Sequence, residues 1–487
     1  MSKTKFYYLP IAIIFLLGIF LRLKLYFTCS VFEDDECRLA ITMLDKNLWQ
    51  MFLPLGDAQS APPLFVFFSK ILANICGYSE KVLWIIPLFA GLAGMFCFYK
   101  LAEEYFEKKI SVAICLFIFA VNSKLVQYAT IFKQYSTDVL VGILCLYYLS
   151  RIDINNLNKK QLAILILMMI LMPFVSLPSI FFIGGMLIIN FVKNYRNKKA
   201  LAKIFITLLP FGLSMILYYV FNLLPSKANL DAAFPNYWDE GFLTASYEGV
   251  MRILGGNIKY YLAPNIMSLF TLILLIWGVV LMFKDKNKPL SHYILTVYAL
   301  ILLASALQLY PYCLRVGLYA ISMFILIIIK PLDSYEIKKP IFYLALLLVF
   351  ASLFKYNFAY FKSLNENELY RYSPKKLMIE LKERFNPKTD VVICNSASTA
   401  SYIYYSSKYD FRTENVYEMD ISSNTRELTL NYLNNLKSGQ KIWLYLIKDY
   451  KKSKIFPYIQ EWLNTKKSEN ILYSIRDKDS ALIYIQN

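Results

Sequence analysis

The sequence has a single histidine and no closely spaced cysteine pair, whereas many soluble enzymes use such residues in catalysis or metal binding. Its single histidine, His292, opens an apolar stretch at the end that we place in the cytoplasm, so histidine dyads and triads are excluded from the outer face. The eight cysteines include no C-x-x-C pair, so neither a zinc site nor a disulfide scaffold is encoded. No glycine-rich loop opens a helix in the polar C-terminal part, which leaves nucleotide binding without support.

Charged residues are also scarce. They make up 18% of the 487 residues, against 57% hydrophobic residues, a balance too apolar for a soluble globule of this length. The formal charge of +18 comes from short lysine and arginine clusters that lie between apolar runs and form no basic domain. The composition therefore predicts a polytopic membrane protein, mainly α, that does not bind nucleic acid.

Apolar stretches recur along the chain, and a bilayer requires ~20 residues for each spanning helix. We predict eleven spans, at about 6–27, 82–102, 110–127, 137–150, 161–175, 177–193, 201–224, 264–283, 290–309, 316–331 and 340–355. The basic clusters fall on one side of this layout: Lys3/Lys5, Lys108/Lys109, Lys159/Lys160, Arg196/Lys198/Lys199, Lys284/Lys286/Lys288 and Lys338/Lys339. The positive-inside rule makes that side cytoplasmic, which places the first loop and the C-terminal part outside.

Two polar regions interrupt the apolar pattern. In the first outer loop, residues 41–55 have the spacing of a helix that lies in the membrane interface, and Pro62-Pro63 starts a second helix. After residue 355 the sequence predicts a helix from Ser373-Pro374, another at 455–463, and strands at 391–394, 442–446, 471–475 and 481–485. We therefore divide the chain into a transmembrane domain, residues 1–355, and an outer α/β domain, residues 356–487.

An acidic stretch follows the first apolar segment directly. Residues 31–40 read VFEDDECRLA, and a solvated charge run is the simple interpretation of four consecutive acids. The order of DECRLA, SAPPLF at residues 60–65 and GYSEKVL at residues 77–83 resembles the first outer loop of the GT-C lipid-phosphate-sugar glycosyltransferases. This broad group contains the protein O-mannosyltransferases and the lipid A aminoarabinose transferases.

Two further stretches are similar to parts of the same family. Residues 128–138, YATIFKQYSTD, resemble its second outer loop, in which an aromatic residue, a basic residue and an aspartate introduce the fourth span. Residues 309–319, LYPYCLRVGLY, resemble its Tyr-Pro…Arg context. Two departures concern the donor pocket and the identity of the sugar: Ala61 stands where relatives commonly have Lys or His, and Trp84 where they often have Arg.

The resemblance implies a role for each candidate residue. Asp35 is implied as the catalytic base, with Glu36 and Asp138 as further catalytic carboxylates. The donor phosphate is implied to bind the residues Lys133, Tyr135 and Arg315. Three alternatives stay open: Lys133 and Asp138 as interfacial anchor and helix cap, Arg315 as a snorkelling side chain, and a divalent cation, Mg²⁺ or Mn²⁺, at Asp34 and Asp35.

The implied function is transfer of a hexosyl or pentosyl group from a polyprenyl-phosphate carrier to a lipid, glycan or protein acceptor at the outer face of the plasma (inner) membrane. Lipid A or protein glycosylation is the implied process. A transporter or flippase of lipid-linked or small anionic substrates is the alternative, but it requires charges within the spans and matching halves, whereas these charges gather in loops. A non-catalytic membrane scaffold is a third possibility.

The charge clusters generate a prediction about topology. Reporter fusions after Lys109 and after Asn487 should report opposite sides of the membrane, the first cytoplasmic and the second external. Both reporters on the same side would contradict the layout.

Overall fold

A computed structural model of the chain describes residues 3–334 apart from 30, 57, 234, 263–266 and 286–287. Beyond Ser334 it describes residues 374–486 apart from 387, 412–415, 420–432, 434, 436–440, 447–455, 466–470 and 477–480. The chain divides into two compact units. The first comprises Met1–Thr28 and Asn47–Phe361, and the second comprises Cys29–Lys46 and Lys362–Asn487.

Helices dominate the described residues. In chain order they are α1 Lys3–Thr28, α2 Asp34–Asp45, α3 Pro63–Cys76, α4 Glu80–Leu83, α5 Ile85–Tyr105, α6 Lys109–Val121, α7 Ser123–Tyr128, α8 Tyr135–Tyr148, α9 Lys159–Val175, α10 Ser179–Asn194, α11 Lys198–Tyr218, α12 Leu224–Ala233, α13 Tyr247–Val250, α14 Gly256–Leu262, α15 Met267–Lys284, α16 Pro289–Ala306, α17 Ile321–Ser334, α18 Pro374–Arg384, α19 Ser396–Lys408 and α20 Phe456–Thr465. A π-helical turn at Tyr219–Leu223 joins α11 to α12.

The first unit is a helical bundle around α17. Every residue of α17 from Ile321 to Asp333 is buried, and the helix packs against α6 and α15. Other close pairs are α5 with α8, α1 with α6, and α10 with α16. By contrast, α11 exposes large apolar side chains such as Phe205, Leu209 and Leu213, which suits a surface in contact with lipid.

Among the described residues, five helices are long and apolar enough to cross a membrane: Tyr8–Thr28, Glu80–Tyr105, Lys198–Ala233, Pro289–Ala306 and Leu314–Ser334. Shorter apolar helices occur at Pro63–Cys76, Lys109–Val121, Ser179–Asn194 and Thr271–Lys284. The prediction of a mainly helical membrane protein is therefore confirmed. Each predicted span up to 316–331 overlaps a helix, and the one at 340–355 lies outside the described residues.

The predicted span at 110–127 is interrupted at Asn122. The Asn122 side chain accepts hydrogen bonds from the N–H groups of Lys124 and Leu125, both at 3.1 Å, and starts α7 as its N-cap. Arg22 of α1 is fully buried, and its guanidinium donates a hydrogen bond to the Ala120 carbonyl near the end of α6 at 2.8 Å. The same guanidinium donates to the Gly18 carbonyl of its own helix at 3.0 Å. This arginine supplies donors that the broken helix cannot supply for itself.

A polar cluster joins the ends of several helices at the predicted cytoplasmic side. Lys330 is buried and forms an ion pair with Asp285 at 2.6 Å. Asp333 accepts hydrogen bonds from the backbone N–H groups of Glu107 at 3.1 Å and Lys108 at 2.9 Å, just before α6 begins. Lys330 and Asp333 are thus satisfied by partners outside their own helix, as burial of a charge requires.

The second unit contains a five-stranded sheet. Its strands are β1 Val391–Asn395, β2 Val416–Met419, β3 Lys441–Leu446, β4 Ile471–Arg476 and β5 Ala481–Gln486. Their order is β2-β1-β3-β5-β4, with β1 parallel to β2 and β3, and β5 antiparallel to β3 and β4. Ile393, Leu444, Ile483 and Trp462 of α20 belong to one buried core.

The strands predicted near residues 391, 442, 471 and 481 are confirmed, as are the helices at Pro374 and Phe456. The prediction of one interfacial helix over residues 41–55 is wrong in its bounds. Instead α2 begins at Asp34 and ends at Asp45, and a separate 3₁₀ turn covers Trp49–Phe52. The cause is local: the Asn47 side chain accepts from the N–H of Gln50 at 3.0 Å, and the Gln50 side chain accepts from the N–H of Asn47 at 2.8 Å.

Candidate functional site

The acids of the first outer loop form the first turn of α2. Glu33 is the N-cap residue, and Asp34, Asp35 and Glu36 follow it. Negative side chains are favoured here because the N–H groups at a helix start carry partial positive charge. The charge run is therefore an organised helix start, unlike the solvated loop of the simple interpretation.

Two of these acids have identified structural partners. The Glu36 carboxylate is buried and accepts a hydrogen bond from the backbone N–H of Glu33 at 2.9 Å, which closes the helix start. Asp34 forms an ion pair with Arg38 one turn later, at 3.0 Å. Asp35 stands between them in the second position of the helix and is half-buried.

The predicted second-loop residues lie in the first unit. Lys133 is only 6% exposed, so it does not snorkel to the surface as an interfacial anchor, and its Nζ donates to the Gln59 side chain. Gln59 immediately precedes the SAPPLF motif, so the two motifs are tied together through this contact. The ring of Tyr135 packs edge-on against Tyr128, with ring centroids 5.0 Å apart.

Asp138 is buried in the first turn of α8. The N-cap of α8 is Gln134, so Asp138 is not the helix cap. Its Oδ1 atom has no hydrogen-bond partner among the described residues, although the Ser176 hydroxyl lies close to the carboxylate. A buried carboxylate oxygen without a partner is costly, and such costs concentrate at functional sites.

Three tyrosines stand within electrostatic range of the Asp138 carboxylate: Tyr218 of α11, Tyr310, and Tyr319 of the segment before α17. Tyr319 is fully buried, and its ring centroid lies 6.4 Å from that of Tyr310. The result is a buried polar cluster made of one carboxylate, one serine hydroxyl and several phenols. Groups of this kind bind the hydroxyls of a polar ligand.

Arg315 lies in a 3₁₀ segment, Leu314–Ala320, and is half-buried. Its Nη2 donates to the Tyr237 hydroxyl at 3.3 Å. The preceding residue Leu314 has a φ of 44°, a left-handed conformation that costs energy for a side chain of this size. Asn257 holds this strained turn, because its side chain accepts from the N–H of Leu314 at 2.8 Å and donates to the Tyr312 carbonyl at 3.0 Å.

A second cation near Arg315 was not predicted. Lys124, the second residue of α7, places its Nζ 4.7 Å from the centre of the Tyr260 ring, and Arg315 interacts electrostatically with the same tyrosine. The Tyr260 hydroxyl lies 2.7 Å from that of Tyr128. Lys124, Tyr260 and Arg315 therefore form a half-buried cationic cluster, hereafter the Tyr260 cluster.

The predicted residues thus fall into two groups, one in each unit. Asp34, Asp35 and Glu36 share one helix turn in the second unit, whereas Lys133, Tyr135, Asp138 and Arg315 lie in the first. Within the part of the chain that the structure describes, no group of three or more histidine, cysteine, aspartate or glutamate side chains has an arrangement suited to a metal ion. The contacts of Asp34 and Glu36 with Arg38 and Glu33 explain why the acid cluster is not such a group.

Comparison with known proteins gives one matching family and several solved structures of similar fold. Residues 60–221 match the family described as dolichyl-phosphate-mannose-protein mannosyltransferase. Among solved structures, ArnT from Cupriavidus metallidurans in the apo state superposes with a TM-score of 0.54 at 10% identity, over 99% of this chain and 98% of that one. The same protein bound to undecaprenyl phosphate gives a TM-score of 0.53 at 12% identity, with the same coverage.

The chain has the ArnT fold, and its residues 60–221 match the mannosyltransferase family model. The resemblance to the GT-C lipid-phosphate-sugar glycosyltransferases is thereby confirmed. The family domain covers Lys133, Tyr135 and Asp138, together with Lys124, but contains neither the acidic turn of α2 nor Arg315. No curated protein matches the chain.

Proposed function

We propose that this chain is a membrane glycosyltransferase that moves a sugar from a polyprenyl-phosphate carrier to an acceptor hydroxyl or phosphate. The observation that carries the proposal is the ArnT fold over nearly the whole chain, joined to a mannosyltransferase-family domain. One of the ArnT structures is bound to undecaprenyl phosphate, which supports a carrier of the same chemistry here. The acceptor is a lipid, glycan or protein, and the sugar is a hexose or pentose.

The proposed reaction needs one base and cations for the leaving phosphate. The acceptor oxygen attacks the anomeric carbon, the bond from this carbon to the phosphate oxygen breaks, and the phosphate leaves with the electron pair. The Asp35 carboxylate takes the acceptor proton. Its half-buried position in the first turn of α2 and the family resemblance support this role, whereas Glu36 serves mainly to close the helix start.

The Tyr260 cluster is our proposed contact for the donor phosphate. Guanidinium and ammonium groups bind phosphate through charge-assisted hydrogen bonds. Lys124 lies over the half-buried Tyr260 ring, and Arg315 is within electrostatic range of the same tyrosine. Lys133 is more enclosed and donates to Gln59, so it contributes positive potential and positions its loop, together with Tyr135. The buried polar cluster around Asp138, with one carboxylate oxygen lacking a partner among the described residues, supports a role in binding sugar hydroxyls.

The location is part of the same proposal. The lysine clusters, read with the positive-inside rule, support a site at the external face of the plasma (inner) membrane. Residues 1–355 then supply the spans and the donor contacts, and residues 356–487 form an outer α/β domain. Transport of a lipid-linked substrate stays the alternative, and it requires no base.

The cationic cluster can be tested by donor binding. Arg315→Ala should weaken binding of a polyprenyl-phosphate sugar by roughly 1.5–3 kcal/mol, because a charge-assisted contact to phosphate is lost. Lys124→Ala should weaken it as well. Arg151→Ala is the matched control, since Arg151 forms an ion pair with Glu104 elsewhere in the first unit. Donor affinity unchanged in both cluster variants would remove the Tyr260 cluster from the donor site.

Asp35→Asn separates an enzyme from a transporter or scaffold. The amide keeps the size of the side chain but cannot take the acceptor proton, so transfer should fall by ~10²–10⁴-fold while donor binding survives. The assay uses purified protein, radiolabelled polyprenyl-phosphate sugar and a cell-envelope extract as acceptor. Asp45→Asn, at the exposed other end of the same helix, is the control and should transfer normally. Normal transfer by Asp35→Asn would exclude Asp35 as the base.

A further inference from the structure

The helix that carries Asp35 folds with the C-terminal α/β unit. The chain leaves the first unit after Thr28 and returns to it at Asn47, and the segment between them belongs to the second unit. One face of α2 is buried, including Cys37, Leu39 and Met43, which are fully enclosed. The helix packs against α19, the helix that follows strand β1.

A single hydroxyl fixes the point at which the chain enters α2. The backbone N–H of Phe32 donates to the Tyr405 hydroxyl of α19 at 3.1 Å. Phe32 is 2% exposed, and its ring packs on Tyr404 with centroids 5.3 Å apart. The next residue is the N-cap Glu33, so these contacts lie three residues before Asp35. They set the direction in which the first turn of the helix begins.

The contact surface on α19 is itself anchored to the sheet. The Ser401 hydroxyl of α19 lies 2.9 Å from the hydroxyl of Tyr445 in β3, and Ser398 donates to the Tyr445 carbonyl at 2.7 Å. Burial raises the pKa of Tyr445, so its hydroxyl stays protonated, and the Cys37 thiol of α2 lies within electrostatic range of it. The first turn of α2 is therefore linked through α19 to the central strands.

We infer that the C-terminal α/β unit acts as the positioning scaffold for Asp35, and that Tyr405 is the positioning residue through which it acts. This inference rests on the proposed role of Asp35 as the base. Tyr405 touches neither donor nor acceptor in this scheme. Its hydroxyl holds the backbone of Phe32 so that the half-buried carboxylate of Asp35 has one orientation, and a base must be placed accurately to act.

The test uses the full-length purified protein and the transfer assay described above. Tyr405→Phe keeps the ring and removes the hydroxyl that accepts the Phe32 N–H. We expect kcat to fall about 3- to 30-fold with an unchanged KM for the donor, as one hydrogen bond and a small displacement of the base predict. Tyr484→Phe is the matched control, because Tyr484 stacks on Trp443 within the same sheet, and it should transfer normally.

Combining variants tests whether Tyr405 acts through Asp35 or only stabilises the fold. In an Asp35→Asn background, Tyr405→Phe should cause no further loss, because the group it positions is already inactive. Phe32→Leu, which weakens the packing on Tyr404 but keeps the N–H, should also lower kcat alone and serves if Tyr405→Phe fails to fold.

The outcomes separate the inference from the function on which it rests. Wild-type kcat in Tyr405→Phe together with an inactive Asp35→Asn would overturn the inference and leave the proposed base intact. A raised donor KM, or an equal loss in the Asp35→Asn background, would also overturn it. Full transfer by Asp35→Asn would instead show that the base itself is wrongly assigned.

Discussion

A polar group inside a bilayer must find its partners within the protein, because lipid tails offer no hydrogen bonds. In this chain Arg22 meets the requirement by donating to carbonyls at the end of α6, where the helix breaks at Asn122. The break lets the short helix α7 and a loop that carries Lys133 lead into α8, which begins at Tyr135. Lys330 and Asp285 meet the same requirement through their ion pair. The positions of these candidate residues therefore depend on how polar groups are satisfied within the first unit.

The same constraint distinguishes Asp138 from the other charged residues. Its neighbours are a serine and several tyrosines, and one of its oxygens has no partner among the described residues. A buried carboxylate oxygen without a protein partner is typical of a site where a ligand supplies the missing hydrogen bond. In the proposed function, the Tyr260 cluster binds the phosphate and the polar cluster around Asp138 binds sugar hydroxyls, so both sets of donor contacts belong to the first unit. The same proposal assigns the base to Asp35 in the acidic turn of α2.

Much of this could be predicted from the sequence because the signals are local. Apolar runs, the Pro62-Pro63 helix start and the alternating strands after residue 390 each depend on residues close in the chain, and the structure contains these elements. The motifs around Asp35, Lys133 and Arg315 led to the correct fold group. The association of α2 with α19 could not be predicted, since Phe32 and Tyr405 are 373 residues apart and no periodicity links them. Lys124 was missed because its cation–π partner Tyr260 belongs to a different helix, α14.

The central claim is that the sugar reaches this protein on a lipid phosphate. The most direct measurement supplies the purified protein with one labelled sugar on two carriers, a polyprenyl phosphate and a nucleoside diphosphate, each with the same cell-envelope extract. The half-buried cations and the ArnT fold, seen elsewhere with undecaprenyl phosphate bound, predict transfer from the lipid carrier with release of polyprenyl phosphate, and no transfer from the nucleotide. Transfer from the nucleotide sugar alone would contradict the account.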